Sequence, residues 1–348
     1  MRILLTADPE LPVPPVGYGG IERIVDALVR TFKARGHTVG LVANRASTCP
    51  ADILFGWPGR LSTSRRDSLS NALALWRARR AFRPDVLHSF SRLAYLAPLL
   101  CTRLPKVMSY QRHTGGRQIG LAARLGGTTL RFTGCSDYIC RLASPAGGVW
   151  RPIPNFVEPD KYPFVASVPA DAPLLFLSRV ESIKGPDVAI AVARAAGRRL
   201  IIAGNRAEQG REREFWDKAV APHLGRDGIE WVGEVGDARK RDLLAQAAAL
   251  IVPIRWDEPF GIVFAEALAV GCPVISCARG AVPEIIEDGT TGFFIRTVED
   301  GVEAVRRLAG IDRTACRRSV EDRFSASVCA GQYLELYREM LGITDNHA

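Results

Sequence analysis

Short apolar runs alternate with amphipathic stretches along almost the whole chain, and no other feature limits the fold as strongly. Runs at 3–6, 38–43, 86–88, 107–110 and 130–133 have the length of buried strands. Helical patterns lie between them at 21–35, 69–82, 92–101 and 137–143. Apolar strands separated by helices specify a parallel sheet covered on both faces. A proline-rich stretch at 150–159 interrupts this pattern and reads as a linker. A second alternation then begins, with strands at 174–177, 200–203, 229–232, 250–253, 274–276 and 292–295. Its helices fall at 186–196, 211–221, 239–247, 262–270, 282–287 and 302–308. The expected class is α/β, with two doubly wound, Rossmann-like parallel-sheet domains at 1–158 and 159–326. Ligands in such sheets sit beyond the carboxyl ends of the strands, here in a cleft between the domains. A last helical pattern, 327–341, follows the second sheet.

At 348 residues the chain is long for one core and suits two. Its opening residues read as a strand rather than a cleaved leader. No apolar stretch reaches the roughly 18 residues of a membrane span. The expected location is cytoplasmic. Eight cysteines contain no C-x-x-C pair and no histidines at zinc spacing, so they read as free structural thiols. Charge is uneven. Residues 1–158 hold 22 Lys and Arg against 9 Asp and Glu, a balance of +13, while 159–348 hold 24 against 28, a balance of −4. The basic half favours an anionic partner, such as a phosphorylated acceptor or an acidic membrane surface. The competing reading is a set of solvated helix faces, with Arg77, Arg79, Arg80 and Arg83 as examples. Regular aromatic interleaving is absent, which argues against a nucleic-acid groove.

The run Glu258-Pro-Phe-Gly-Ile-Val-Phe-Ala-Glu266 places one carboxylate at the mouth of an apolar helix and a second within it. A carboxylate among Phe264, Ala265, Ala267 and Leu268 costs several kcal/mol unless something hydrogen-bonds it. Sugar or ribose hydroxyls would do so, and the N–H groups at the helix start suit a phosphate. Backbone or arginine partners are the structural alternative. Continued by Ala269-Val-Gly-Cys-Pro-Val-Ile-Ser276, the run resembles the signature of glycosyltransferase family 4, retaining enzymes of the two-domain GT-B architecture.

The resemblance implies a role for each matching position. Glu258 would hold the donor sugar and Glu266 the ribose. The N–H groups of Gly261, Ile262 and Val263 would meet sugar and phosphate. Arg179 and Lys184, followed by Gly185, would neutralise the departing diphosphate. The loop Pro14-Pro-Val-Gly-Tyr-Gly-Gly20 resembles the family's Gly-Gly loop, so Gly19 and Gly20 would face the diphosphate and the acceptor; its glycines also allow positive φ. The segment Val232-Gly-Glu-Val235 would meet the base through its backbone, with Gly204 and Asn205 at a neighbouring strand end as further donor-site candidates. His113 matches the family histidine over the transferred sugar, with His88 as the alternative. The last helix would cross back onto the first domain. His37, at a helix end, suits the helix dipole and reads as structural.

Departures also occur. Phe156 follows Asn155 where the family commonly has glycine, and no Asp-x-Asp dyad stands where a metal-bound diphosphate would need one. The expectation is a nucleoside-diphosphate sugar as donor substrate, a hydroxyl-bearing acceptor meeting 57–66 and 112–124, and no metal or other cofactor. The basic half permits an anionic acceptor or peripheral attachment at the inner membrane face. Competing readings are a nucleotide-sugar epimerase or hydrolase on a similar scaffold, and a non-catalytic nucleic-acid-binding protein. Base, sugar, acceptor and oligomeric state are left open by the sequence.

Overall fold

Two all-parallel sheets organise the chain in the computed structural model, which describes residues 1–17, 19–112 and 116–343. One unit comprises Met1–Phe156 with Ala326–Ala348, the other Val157–Ser325. The first sheet contains β1 (Arg2–Thr6), β2 (Thr38–Ala43), β3 (Ile53–Gly56), β4 (Val86–Ser89), β5 (Lys106–Tyr110), β6 (Leu130–Gly134) and β7 (Trp150–Pro152). Their order is β3-β2-β1-β4-β5-β6-β7, every pair parallel. The switch in winding direction falls between β1 and β4, where doubly wound sheets open a crevice.

The second sheet contains β8 (Leu174–Leu177), β9 (Leu200–Ala203), β10 (Ile229–Gly233), β11 (Ala249–Val252), β12 (Val274–Ser276) and β13 (Gly292–Phe294), in the order β10-β9-β8-β11-β12-β13. Its switch point lies between β8 and β11. In each unit the central strands form the core: Ile3, Leu4 and Leu5 in one, and Leu174, Phe176, Leu250 and Ile251 in the other, are almost wholly buried. Central strands covered by helices on both faces need apolar side chains on every residue, which is why the pattern was visible in the sequence.

Several elements differ from the sequence reading. The stretch expected to be a linker opens with β7, an edge strand paired with β6. Trp150 stacks on Phe132 with ring centroids 4.9 Å apart. Proline is tolerated there because an edge strand has a free hydrogen-bonding side. β3 is also an outer strand, with Ile53 and Leu54 partly exposed. The helix Gly116–Gly126 was hidden by its glycines, and Arg313–Arg323 by its charge. Asp312 caps the latter, accepting from the Thr314 N–H at 2.8 Å.

The helix Ala326–Leu341 belongs to the first unit and packs on Gly20–Ala34. Tyr333 and Tyr337 are buried there, and Tyr337 meets the Phe32 ring edge-on at 5.9 Å. His88 is fully buried between Tyr337 Oη (2.5 Å from Nδ1) and Ser109 Oγ (2.6 Å from Nε2). Burial pushes its pKa down to about 3, so His88 is a neutral tie between β4, β5 and the last helix. His37 Nδ1 lies 3.2 Å from the Met1 ammonium. Burial, the Met1 ammonium, Arg338 and Arg35 lower its pKa. The eight cysteines are free, six of them buried. Among the described residues no helix is long and apolar enough to cross a membrane.

Candidate active site

In the second unit, the loops leaving the carboxyl ends of β8 and β11 bring Lys184 and Glu258 into direct contact. β8 ends at Leu177, and the chain runs through Arg179 into a tight turn, Ser182–Lys184. Pro186 then opens the helix Pro186–Ala195, its missing N–H harmless at the first helical position. β11 leads to Trp256, Glu258 and the helix Ile262–Ala269. Lys184 Nζ donates to Glu258 Oε2 at 2.7 Å, and the Trp256 indole N–H donates to the same oxygen at 3.0 Å. The ammonium also lies 4.6 Å from the Trp256 ring centroid, a cation–π arrangement. Both charged side chains are largely shielded, at 11% and 13% exposure, so their attraction is only weakly screened.

Gly261 precedes the helix with φ of 89°, a left-handed conformation that fits no side chain comfortably; a Cβ there would also meet Phe264 at 2.5 Å. The chain can therefore turn sharply from Glu258 into the helix. The N–H groups of the opening turn, including those of Ile262 and Val263, have no partners within the helix. A lysine, a carboxylate and a helix N-terminus thus share one stretch, suited to a group carrying both hydroxyls and negative charge.

Glu266 is buried on the same helix and takes other partners. Tyr162 Oη donates to Glu266 Oε1 at 2.7 Å, and Lys240 Nζ forms a short ion pair with that atom. Lys240 stands in the opening turns of Asp237–Gln246, the helix after β10. Arg179 is engaged by Glu181 Oε1 at 2.6 Å. The structure therefore joins Lys184 to Glu258, while Arg179 and Glu266 are paired separately. Because the sheet is parallel, all four leave strands at its carboxyl edge.

Gly204 and Asn205, which follow β9, are more constrained than the sequence reading allowed. The Gly204 N–H donates to the Gly233 carbonyl at 2.8 Å, and its own carbonyl accepts from the Trp231 indole at 3.0 Å. The Asn205 carbonyl accepts from the Val180 N–H at 2.9 Å. The Gly204 backbone ties strand ends together and has no N–H to offer a ligand. Val235 is half-buried in the turn after β10.

The first unit carries a cavity of about 780 Å³ at the carboxyl edge of β1, β4 and β5. Asp8, Arg92 and Gln111 follow those three strands and line it. Among the described residues one buried Asp8 oxygen has no partner, nor does either amide atom of Gln111. Burial, then Glu10 and Glu22, raise the Asp8 pKa to about 6 against the opposing pull of Arg92 and Arg112. Gly19 caps the helix Gly20–Ala34 without a side-chain bond. Its φ of 161° is extended, so close packing rather than positive φ requires glycine: a Cβ would lie 2.7 Å from Pro15. His113 lies outside the described residues. Among the described residues no group of His, Cys, Asp or Glu side chains is arranged to hold a metal ion.

Two family models divide the chain much as the sheets do. Glycosyltransferase Family 4 matches residues 18–161 and Glycosyl transferases group 1 matches 164–315. The chain belongs to the family 4-type glycosyltransferases. Its fold is GT-B, with a Rossmann-like sheet in each unit. It is 25% identical to a glycogen synthase of Mycobacterium tuberculosis over 97% of this chain and 95% of that one. A D-inositol 3-phosphate glycosyltransferase of a Nocardioides species is 33% identical over 49% of this chain and 42% of its own. The crystal structure of AviGT4, a glycosyltransferase involved in avilamycin A biosynthesis, superposes with a TM-score of 0.73 at 26% identity, covering 99% of this chain and 98% of that one.

This glycosyltransferase also places residues at its two edges that sequence reasoning missed. Trp256 stands two positions before Glu258, and an aromatic beside a candidate sugar-binding carboxylate was a readable signal. Tyr162 and Lys240 gave none, being distant in sequence from Glu266. Asp8 had a weak one: an acidic residue two positions beyond the first strand, at the end where ligands bind.

Proposed function

We propose that this glycosyltransferase transfers a sugar from a nucleoside diphosphate to a hydroxyl acceptor, with retention at the anomeric carbon. The contact that carries the reading is Lys184 on Glu258 beneath Trp256, at the foot of the helix Ile262–Ala269. In that role Glu258 accepts hydrogen bonds from the donor sugar, and Trp256 keeps its carboxylate in place. Glu266, steadied by Lys240 and Tyr162, is positioned to accept from ribose hydroxyls.

The chemical step breaks the bond from the anomeric carbon to the diphosphate oxygen and leaves negative charge on that oxygen. Lys184, Arg179 and the N–H groups of Gly261, Ile262 and Val263 stabilise the charge as it grows. Lys184 has donors beyond the one given to Glu258, so the pair need not break when diphosphate binds. Arg179 must exchange Glu181 for phosphate. The acceptor hydroxyl attacks from the face the diphosphate leaves, and its proton passes to the departing oxygen. No protein base and no metal are assigned. A cytoplasmic site of action fits this reading, given eight free thiols.

Incubating the purified chain with a panel of nucleoside-diphosphate sugars tests the reading through release of nucleoside diphosphate and the anomeric configuration of the product. A product of inverted configuration would remove the front-face step. Sugar isomerised or hydrolysed but never transferred, across a broad acceptor set, would replace transfer with epimerase or hydrolase chemistry. Activity should persist in EDTA; complete loss restored by magnesium would overturn the metal-free assignment.

A further inference from the structure

The turn that presents Lys184, Ser182–Lys184, is held from both sides. It follows β8, and the strands paired on either side of β8 are β9 and β11. The chain beyond each neighbour bonds back to this turn. From the helix Gly210–Phe215, after β9, the Glu212 carboxylate takes two hydrogen bonds from a single residue. The Ser182 N–H donates to its Oε2 at 2.6 Å, and the Ser182 hydroxyl donates to its Oε1 at 2.7 Å. From the segment after β11, the Arg255 N–H donates to the Ile183 carbonyl at 2.8 Å, and Arg255 Nη1 donates to the Ser182 carbonyl at 3.0 Å. The same guanidinium forks onto the two Asp187 oxygens at 2.9 and 2.5 Å, in the first turn of Pro186–Ala195.

These bonds fall on the backbone that carries the lysine rather than on its ammonium. Residues 182 and 183 immediately precede Lys184, and Arg255 immediately precedes Trp256. Tying 183 to 255 therefore sets the register in which Lys184 meets Trp256 and Glu258. The turn has little else to fix it. Its own bonds are Lys184 N–H to the Glu181 carbonyl at 2.9 Å and Gly185 N–H to the Ser182 carbonyl at 3.2 Å. It also lies hard against the exit of β11, where a Cβ on Gly185 would meet the Pro253 carbonyl at 2.2 Å. Hydrogen bonds to charged groups are shorter and stronger than neutral ones, so a carboxylate and a guanidinium suit the task. Glu212 bonds in a part-buried setting and the Arg255 guanidinium in an exposed one, so Glu212 should carry the larger share.

We infer that Glu212 and Arg255 are positioning residues, which fix the Ser182–Lys184 turn so that Lys184 stays on Glu258 and within reach of the departing diphosphate. The consequence for turnover rests on the transfer reading, whereas the hold on the turn is measurable without it. Hydrogen–deuterium exchange of the full chain reads the hold directly. A peptide spanning 181–185 should exchange several-fold faster in Glu212→Ala, with circular dichroism unchanged. Unaltered exchange in that peptide would overturn the inference.

Turnover reads the consequence. Catalytic geometry tolerates little drift, so Glu212→Ala should lower kcat about tenfold or more while the donor KM moves by less than about threefold. Glu212→Gln keeps an acceptor for the Ser182 N–H and a donor for its hydroxyl, so it should recover most of the rate. Arg255→Lys, which loses the fork, should show a smaller fall. In a Lys184→Ala background, Glu212→Ala should lower kcat no further, because the lysine it positions is gone. An equal loss in both backgrounds would reduce Glu212 to a general support of the fold and overturn the inference, as would a KM rise at unchanged kcat. Failure of the parent chain to release nucleoside diphosphate from any donor would strike the transfer reading, and the exchange result would still decide whether Glu212 holds the turn.

Discussion

At the carboxyl edge of the second sheet, charge is matched to charge: Lys184 to Glu258, Lys240 to Glu266, Arg179 to Glu181. At the equivalent edge of the first sheet, four arginines line a cavity without ion pairs among the described residues, beside an orphaned Asp8 oxygen and an orphaned Gln111 amide. The two sheet edges therefore differ in how their polar side chains are satisfied. In the second unit these charged side chains orient one another. Under the proposed transfer the Lys184–Glu258 pair can stay in place, whereas Arg179 has to leave Glu181. In the first unit Asp8 and Gln111 hold buried polar atoms without a partner among the described residues, which costs the fold stability.

The largest effect should come from breaking the matched edge. Lys184→Ala and Glu258→Ala are each expected to lower kcat on the order of 10²–10³-fold, the usual loss when one group stabilising a developing oxyanion is removed. Because the two side chains bond each other, the double variant should lose much less than the product of the single losses. Circular dichroism should show the fold retained. Multiplicative losses would mean that the residues act independently; near-normal transfer by either single variant would remove the proposed mechanism.

The contrast between the edges also explains what the sequence disclosed. Glu258, Gly261 and Glu266 belong to one local run, and Lys184 follows the first strand of its unit by a few residues, so spacing alone linked them to a helix start and a strand end. Asp8, Arg92 and Gln111 are each separated by many residues. Only the strand order β1-β4-β5 brings them together, and no local pattern records that order. Pairing partners were hidden for the same reason: Lys240 sits in a polar helix and Tyr162 in a loop, both far along the chain from Glu266. Among the fold elements, central strands were legible because burial on both faces makes them apolar throughout. β7 was not, since its proline and arginine are allowed only by its edge position.

A medium effect, on stability, is expected at Asp8. Its folded pKa, raised to about 6, lies above the ordinary 3.8, so the folded state holds the extra proton between those values. The stabilising contribution is complete below pH 3.8 and lost as pH rises through 6. At pH 7.5 the ionised carboxylate therefore burdens the fold. Asp8→Asn should stabilise the protein at pH 7.5 by about 2–3 kcal/mol, with the gain shrinking towards pH 4. A variant no more stable than the parent at pH 7.5, or equally stabilised at pH 4, would show that Asp8 is not strained and would blur the contrast between the edges.

The smallest effect is expected where the second unit pairs its charges away from the breaking bond. Lys240→Met keeps the length of the side chain but deprives Glu266 of its cation, leaving the Tyr162 hydroxyl as its partner at 2.7 Å. The cost should be about 1–2 kcal/mol, less than the ~3–5 kcal/mol of a fully orphaned buried charge, because that hydrogen bond remains. A less firmly held Glu266 binds the ribose hydroxyls less well before and during the reaction alike, so the donor KM should rise by a few-fold while kcat changes little. Stability then moves opposite to its direction in Asp8→Asn, as it must if one edge is pre-paired and the other is not. A fall in kcat matching that of Lys184→Ala would instead place Lys240 at the departing diphosphate and move the ribose site off Glu266.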